Sequence, residues 1–232
     1  QVASEILSIP VARIRVLMGD TGTTPYSYGA FASRGIVMAG GAVSRAAEAL
    51  AERIRVMAAR ALDCPPEQVR LEDDRVHGPN GSLSFAEVGH IWYLRPDELP
   101  EGDRHGGLEV TEAYRPKTDQ GVFSYASHAV VVAVDPRTGK VELLDYVIVE
   151  DAGKVVNPMI VEGQTIGGAV QGIGTALFEE VTYDDQGQPL SSTLADYHLP
   201  GAAEAPHIRI QHTESPSPHT AHGIKGVGEG GA

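Results

Sequence analysis

The chain has very little cysteine and a shortage of basic side chains. Among its 232 residues Cys64 is the single cysteine, and 18 Lys and Arg face 31 Asp and Glu, for a formal net charge of −13. One cysteine excludes an intrachain disulfide and any iron–sulfur cluster held by this chain's cysteines alone. Because phosphate contact needs a basic face, the charge balance argues against nucleic acid as a partner.

Long apolar runs are also missing. No segment approaches the roughly 20 apolar residues of a membrane-spanning helix, and the first residues do not read as a signal peptide. We therefore expect a cytoplasmic protein. With 42% hydrophobic and 21% charged residues the composition is that of a globular protein. Since the chain begins inside a helical pattern and stops just after a glycine run, we expect a fragment of a longer polypeptide.

The spacing of apolar residues predicts helices, strands and turns along the whole chain. Helices are expected near residues 2–7, from Ile36 to the stop at Pro65-Pro66, over 84–90, and from Asn157-Pro158 to about Glu180. Strands are expected over 14–18, 69–76, 126–134 and 141–149. Turns are expected at 80–81, 135–139 and 183–188. We divide the chain into a first α/β subdomain (1–93), a polar linker or long loop (94–107) and a second α/β subdomain (108–232).

The last predicted helix contains five glycines, at positions 163, 167, 168, 172 and 174. Each glycine costs a helix about 1 kcal/mol relative to alanine, so this helix requires a compensating interaction. Spacings of four residues give smooth faces that suit close packing on another backbone or a ligand lying across the helix. Both interpretations stay open here. Gln171 is the polar residue in the middle of that face.

Two loops have compositions that suit anion binding. Asp20-Thr21-Gly22-Thr23-Thr24 is rich in Gly and Thr but lacks the Gly-Lys-Ser/Thr ending of a nucleotide-binding P-loop. Phe31-Ala32-Ser33-Arg34 directly precedes the helix that starts near Ile36, where free backbone N–H groups favour an anion. A plain helix cap by Ser33 is the alternative.

Glu229 lies inside a glycine run, Lys225-Gly226-Val227-Gly228-Glu229-Gly230-Gly231. Glycines let a backbone approach a ligand closely, so this carboxylate is either a base beside a bound group or a solvated loop residue. The run does not match a dinucleotide fingerprint, because the final spacing differs and no apolar strand precedes it. Five histidines in the last forty residues form no paired metal-binding motif.

Four segments together resemble the molybdenum-cofactor subunit of the xanthine oxidase/molybdenum hydroxylase family. They are Gly19–Thr21 with the loop into Ala32-Ser33-Arg34, Glu150–Pro158, Gly163–Gly174 and Lys225–Gly231. The resemblance covers nearly the whole chain in order. The amino-acid sequence of the glycine-rich segments most resembles that of bacterial large subunits of the aerobic carbon monoxide dehydrogenase and aldehyde dehydrogenase type.

The resemblance implies an α+β fold with mixed sheets and packed helices, the second half of a molybdopterin-binding domain. The cofactor it implies is molybdopterin with molybdenum, in the cytosine dinucleotide form, with the metal held by the pterin dithiolene and not directly by protein. The implied partners are the missing N-terminal half, an iron–sulfur subunit and an FAD subunit, in a homo-oligomeric complex. The implied cofactor contacts are Ala32, Ser33, Arg34, Gln171, Gly172, Lys225, Gly226, Val227 and Gly228.

The resemblance also implies a reaction in which Glu229 is the catalytic base. The family hydroxylates or oxidises an aldehyde, carbon monoxide, a purine or an N-heterocycle with oxygen taken from water. Because burial raises the pKa of a carboxyl group, which suits a base near neutral pH, we expect Glu229 to be buried. The alternative class is a non-catalytic cofactor-binding or scaffold module that completes a split molybdenum subunit.

Overall fold

The computed structural model describes residues 1–95, 97, 107–118 and 122–232. The chain forms two compact units, one from residues 1–29 and 38–116 and the other from residues 30–37 and 117–232. The predicted linker at 94–107 lies mostly outside the described residues. The loop Ala32–Arg34, which we predicted in the first subdomain, belongs to the second unit. The reason is that this loop makes its contacts with the end of the chain.

The described part of the first unit contains three α-helices, α1 (Val2–Leu7), α2 (Gly41–Ala61) and α3 (Phe85–Leu94). Apolar residues of α2 recur every three or four positions and are buried as a stripe, among them Ile54, Met57 and Ala58. A π-helical turn, Ile36–Gly40, leads directly into α2. Ser84 caps α3 in a reciprocal capping box with Glu87.

A small antiparallel sheet completes the first unit, with strands β1 (Arg70–Glu72), β2 (Arg75–Gly78) and β3 (Gly81–Ser84) in that order. The prediction of one strand over 69–76 is wrong, because Asp73 and Asp74 both take positive φ and turn the chain into a hairpin. The strand predicted over 14–18 is also wrong. This segment follows a 3₁₀ turn at Val11–Arg13 and its residues from Arg15 to Met18 are exposed, with no ladder among the described strands.

The second unit is built on a mixed sheet with the order β4 (Tyr125–Val134), β5 (Val141–Asp151), β6 (Ile208–Thr213). The hairpin β4–β5 is antiparallel, as predicted, and β6 runs parallel to β5. Helix α4 (Pro158–Leu177), capped by Asn157, packs on one face of this sheet. Its Thr165 donates a 2.6 Å hydrogen bond to the buried carboxylate of Glu150. The fold is therefore α+β, as predicted.

Among the described residues, no helix combines the length and the apolar character that a membrane span requires.

Candidate functional site

The second unit brings together two segments that are almost two hundred positions apart in the sequence. The hydroxyl of Ser33 donates a 2.9 Å hydrogen bond to Glu229 Oε2. A Cβ atom at Gly226 would lie 2.5 Å from the Ser33 carbonyl oxygen, so only glycine permits this approach. The burial expected of Glu229 is wrong for this structure. Its side chain is exposed, because the glycines around it supply no side-chain cover.

The loop that carries Ser33 has an unusual backbone. Ala32 and Ser33 have φ values of 48° and 57°, in the left-handed region that non-glycine residues seldom adopt. Consecutive residues of this kind cost on the order of 1–3 kcal/mol each and cluster at functional sites. Helical structure then begins at Gly35, beside the predicted start at Ile36.

Arg34 provides a cation next to this loop. Its guanidinium lies 4.6 Å from the centre of the Phe31 ring, and its Nε atom is buried with no hydrogen-bond partner among the described residues. A buried N–H group without a hydrogen-bond partner is rare in folded proteins. The arrangement therefore suits an acceptor that the chain itself does not supply.

Helix α4 forms the other support of the glycine run. Gln164 donates a 3.3 Å hydrogen bond from Nε2 to the Gly228 carbonyl oxygen. A Cβ atom at Gly168 would lie 2.7 Å from the Gly231 carbonyl carbon, so the helix and the run are in close contact there. Gln171 is exposed and does not line the cleft described below, whereas its neighbour Gly172 does.

Sequence reasoning missed Gln164. It lies seven positions, or two helical turns, before Gln171, and so shares its face of α4. That spacing is the signal that could have identified it.

Lys225 is held by residues of the chain itself. Its Nζ atom lies 2.9 Å from Asp151 Oδ1 and 2.9 Å from Ser215 Oγ, and 4.6 Å from the centre of the Tyr125 ring. The side chains of Lys225 and Asp151 are only 10% and 3% exposed. Because these contacts occupy the ammonium group, the structure places Lys225 as an anchor of the glycine run. Buried Val227 lies in the apolar cluster with Ala152 and Val161.

The anchor shifts the pKa of its carboxylate partner. Burial by itself would raise the pKa of Asp151, but hydrogen bonds from Ser215, Lys225 and the Gly153 backbone N–H, together with the Lys225 charge, outweigh burial and hold that pKa well below its ordinary value. Asp151 is therefore ionised at neutral pH, and the pair with Lys225 is a charged one.

A cleft of about 430 Å³ opens beside these segments. Ser33 and Glu229 line it together with Gly172 of α4 and three glycines of the final run. Phe123 and Tyr125 add aromatic surface, and His128 and Tyr146 form a further wall. Among the described residues there is no group of three or more His, Cys, Asp or Glu side chains that could hold a metal ion.

Comparison with known proteins gives the family. The model of the molybdopterin cofactor-binding domain matches residues 1–206. The chain therefore belongs to the family of molybdopterin cofactor-binding domains, and its relatives are molybdenum-binding subunits of the xanthine oxidase family.

Individual relatives are similar over nearly the whole chain. The nicotine 6-hydroxylase large subunit of Paenarthrobacter nicotinovorans is 39% identical over 100% of this chain and 28% of its own length. The carbon monoxide dehydrogenase large chain of Hydrogenophaga pseudoflava is 34% identical over 99% of this chain and 28% of its own length. The crystal structure of quinoline 2-oxidoreductase from Pseudomonas putida 86 matches 98% of this chain and 29% of that one, with 40% identity and a TM-score of 0.88. The chain thus spans less than a third of these relatives.

Proposed function

We propose that this chain forms part of the cofactor site of a molybdenum hydroxylase, in which Glu229 accepts a proton from the reacting group. The observation that carries the proposal is the contact between Ser33 and Glu229 at the edge of the cleft. Three further features support it: the strained backbone of Ala32 and Ser33, the Arg34 Nε that has no partner in the described part of the chain, and the glycine-lined approach.

The residues present suit a pterin cofactor with a phosphate group. In our proposal the loop Ala32–Arg34 binds the phosphate, because Arg34 Nε is a buried donor for which the described residues supply no acceptor. The backbone of Gly226–Gly228 binds the ring portion, and the exposed amides of Gln164 and Gln171, which lie outside the lining of the cleft, bind the remainder of the cofactor. Gly172 lines the cleft and has no atom within 4 Å of a built Cβ, which leaves room for a planar group there.

The bound cofactor supplies the two-electron redox centre, and water supplies the oxygen atom. The role of this chain is to transfer a proton and to position the cofactor. Ser33 donates to one carboxylate oxygen of Glu229, which leaves the other oxygen to take the proton. Because Glu229 is exposed in the chain alone, the ligand must provide the cover that keeps water away from the carboxylate.

Finer details of the proposal come from the relatives. We infer the cytosine dinucleotide form of the cofactor, with iron–sulfur and FAD centres on partner chains. The relatives' names include nicotine, carbon monoxide and quinoline, so an N-heterocycle, an aldehyde, a purine or carbon monoxide is the proposed range of substrates. The alternative, a non-catalytic cofactor-binding module, is favoured by one observation, the exposure of Glu229.

Cofactor content tests this proposal. Arg34→Met should lower the molybdenum and pterin released per chain of the purified protein, whereas Arg137→Met, on an exposed hairpin, should not. Full occupancy in a folded Arg34→Met protein would contradict the phosphate site. Proline at Ser33 is a poor alternative, because φ is 57° there and proline requires about −65°.

A further inference from the structure

His128 and Tyr146 form a hydrogen-bonded pair on the wall of the cleft. His128 on β4 lies opposite Ile148 on β5, and Tyr146, two residues before Ile148, is the diagonal neighbour of His128. The distance from His128 Nδ1 to the Tyr146 hydroxyl is 2.9 Å, and the rings meet edge to face with centroids 5.7 Å apart. Both residues line the cleft. None of the proposed roles above uses them.

The direction of this hydrogen bond fixes the histidine tautomer. Tyr146 is 8% exposed, and His128 Nδ1 is the one hydrogen-bond partner of its hydroxyl among the described residues. Buried hydroxyl protons are almost always donated, and burial raises the pKa of Tyr146, so the phenol keeps its proton. A phenol that donates to Nδ1 leaves Nε2 as the ring nitrogen that carries the N–H.

The other residues of the cleft indicate which group this donor suits. The described lining contains the carboxylate of Glu229 and neither Lys nor Arg. Away from the Ala32–Arg34 loop, where we place the phosphate, an anion in the cleft would meet the Glu229 carboxylate with neither Lys nor Arg among the described lining residues. An uncharged acceptor, such as a carbonyl oxygen or a ring nitrogen, is not repelled by the Glu229 carboxylate and can accept from an imidazole N–H.

We propose that His128 binds the occupant of the cleft by donating from Nε2–H to an uncharged acceptor, and that Tyr146 acts through it as a positioning residue. The acceptor belongs either to the pterin ring of the cofactor or to a heterocyclic substrate. This identification of the occupant rests on the proposed function, whereas the donor role follows from the pair itself.

The proton position is tested by two-bond ¹H–¹⁵N correlation spectra of the purified protein. We expect His128 in the Nε2–H form, and in Tyr146→Phe we expect a mixture, because the partner that selects the tautomer has been removed. An Nδ1–H form in the wild type would overturn the proposal.

Binding is tested by titrating the purified protein with two probes, pterin and quinoline. His128→Leu should raise the dissociation constant of one probe about 3- to 10-fold, the effect of one lost hydrogen bond. His128→Gln keeps a donor near the Nε2 position and should restore binding to within about twofold. His90→Leu, an exposed histidine in the first unit, should have no effect.

The two probes distinguish the sources of the acceptor. A loss confined to pterin supports a cofactor acceptor, and a loss confined to quinoline supports a substrate acceptor. If neither probe binds, or if His128→Leu weakens neither, the proposal is wrong. The proposed function fails separately, through an absence of molybdenum and pterin from the wild-type protein.

Discussion

At the scale of single residues, the pair Asp151–Lys225 decides where the glycine run lies. Lys225 comes four positions before Glu229, and its contacts tie the run to the end of β5. The neighbouring Gly153 supports the same junction, because its φ of 64° permits a turn that a larger residue would strain. Removing one partner of a buried pair leaves an uncompensated charge.

Lys225→Met is therefore expected to lower the free energy of unfolding by about 3–5 kcal/mol. The measurement is urea denaturation at neutral pH. Lys154→Met is the matched control, since Lys154 pairs with Glu214 but is 56% exposed, and exposed pairs contribute about 0–1 kcal/mol. Equal losses in the two variants would show that burial of the Asp151–Lys225 pair adds nothing.

The lowered pKa of Asp151 gives a pH dependence with a definite sign. A carboxyl whose pKa is lower in the folded state stabilises the fold above its unfolded pKa of about 3.9, and this contribution is lost as pH falls toward the folded value. The difference in unfolding free energy between wild type and Asp151→Asn should thus be constant from pH 7 to 5 and decline below about pH 4. A decline that is already complete at pH 5 would contradict this assignment.

The roles of single residues were only partly predictable from the sequence. Glu229 and Ser33 were singled out by their motifs, and the structure brings them into contact. The burial expected of Glu229 as a base is not found in this chain, because its glycine neighbours provide no side-chain cover. Lys225 was expected as a cofactor contact from the resemblance, and nothing in the local sequence identifies Asp151, 74 positions away, as its partner.

At the scale of elements, the glycines of α4 fall into two groups. Gly168 and Gly174 pack too closely for a side chain, against Gly231 and Pro200 respectively. The others, Gly163, Gly167 and Gly172, have no atom within 4 Å of a built Cβ. Tight packing thus explains two of the five glycines. The remaining three lie at exposed positions of α4.

Adjacent positions of α4 provide a matched test. Gly167→Ala should raise the free energy of unfolding by about 0.5–1 kcal/mol, because alanine is the better helix former and has space there. Gly168→Ala should lower it by about 1–3 kcal/mol, since the added methyl group meets the Gly231 backbone. Thermal and urea denaturation check both values. Destabilisation of similar size in both variants would mean that helix propensity and packing have been wrongly assigned.

Local sequence signals were enough for some elements and not for others. The hairpin β4–β5 and the capped start of α4 were predicted correctly because turn and cap residues lie beside them in sequence. Strand β6 was missed, since it pairs with β5 more than fifty positions away, and its partner cannot be seen locally. The β1–β2 turn depends on two aspartates with positive φ, which residue type alone does not specify.

At the scale of the whole molecule, the most prominent feature is the exposed apolar surface of β4. This ten-residue strand pairs with β5 alone among the described strands, and Val131, Val132 and Val134 are 55%, 47% and 56% exposed. Long apolar edge strands without charged residues or proline pair readily with other chains. Continuous apolar runs of this kind are typical of strands covered on both faces.

The chain purified alone is therefore expected to self-associate through β4. Val131→Lys should shift the mass measured by light scattering toward the 24.5 kDa monomer, because a charge on an edge strand opposes pairing. Val11→Lys is the control, since Val11 is equally exposed at 55% but lies in the first unit. A wild-type chain that is monomeric at every concentration would contradict this expectation.

The central claim, that Glu229 is the proton acceptor of a molybdopterin site, is tested most directly by Glu229→Gln. The amide has the shape of the carboxylate and can still accept from Ser33, but it cannot take up a proton. The account predicts unchanged molybdenum and pterin content and turnover lowered about 10²- to 10⁴-fold. Near-normal turnover in a protein that retains its cofactor would contradict the account.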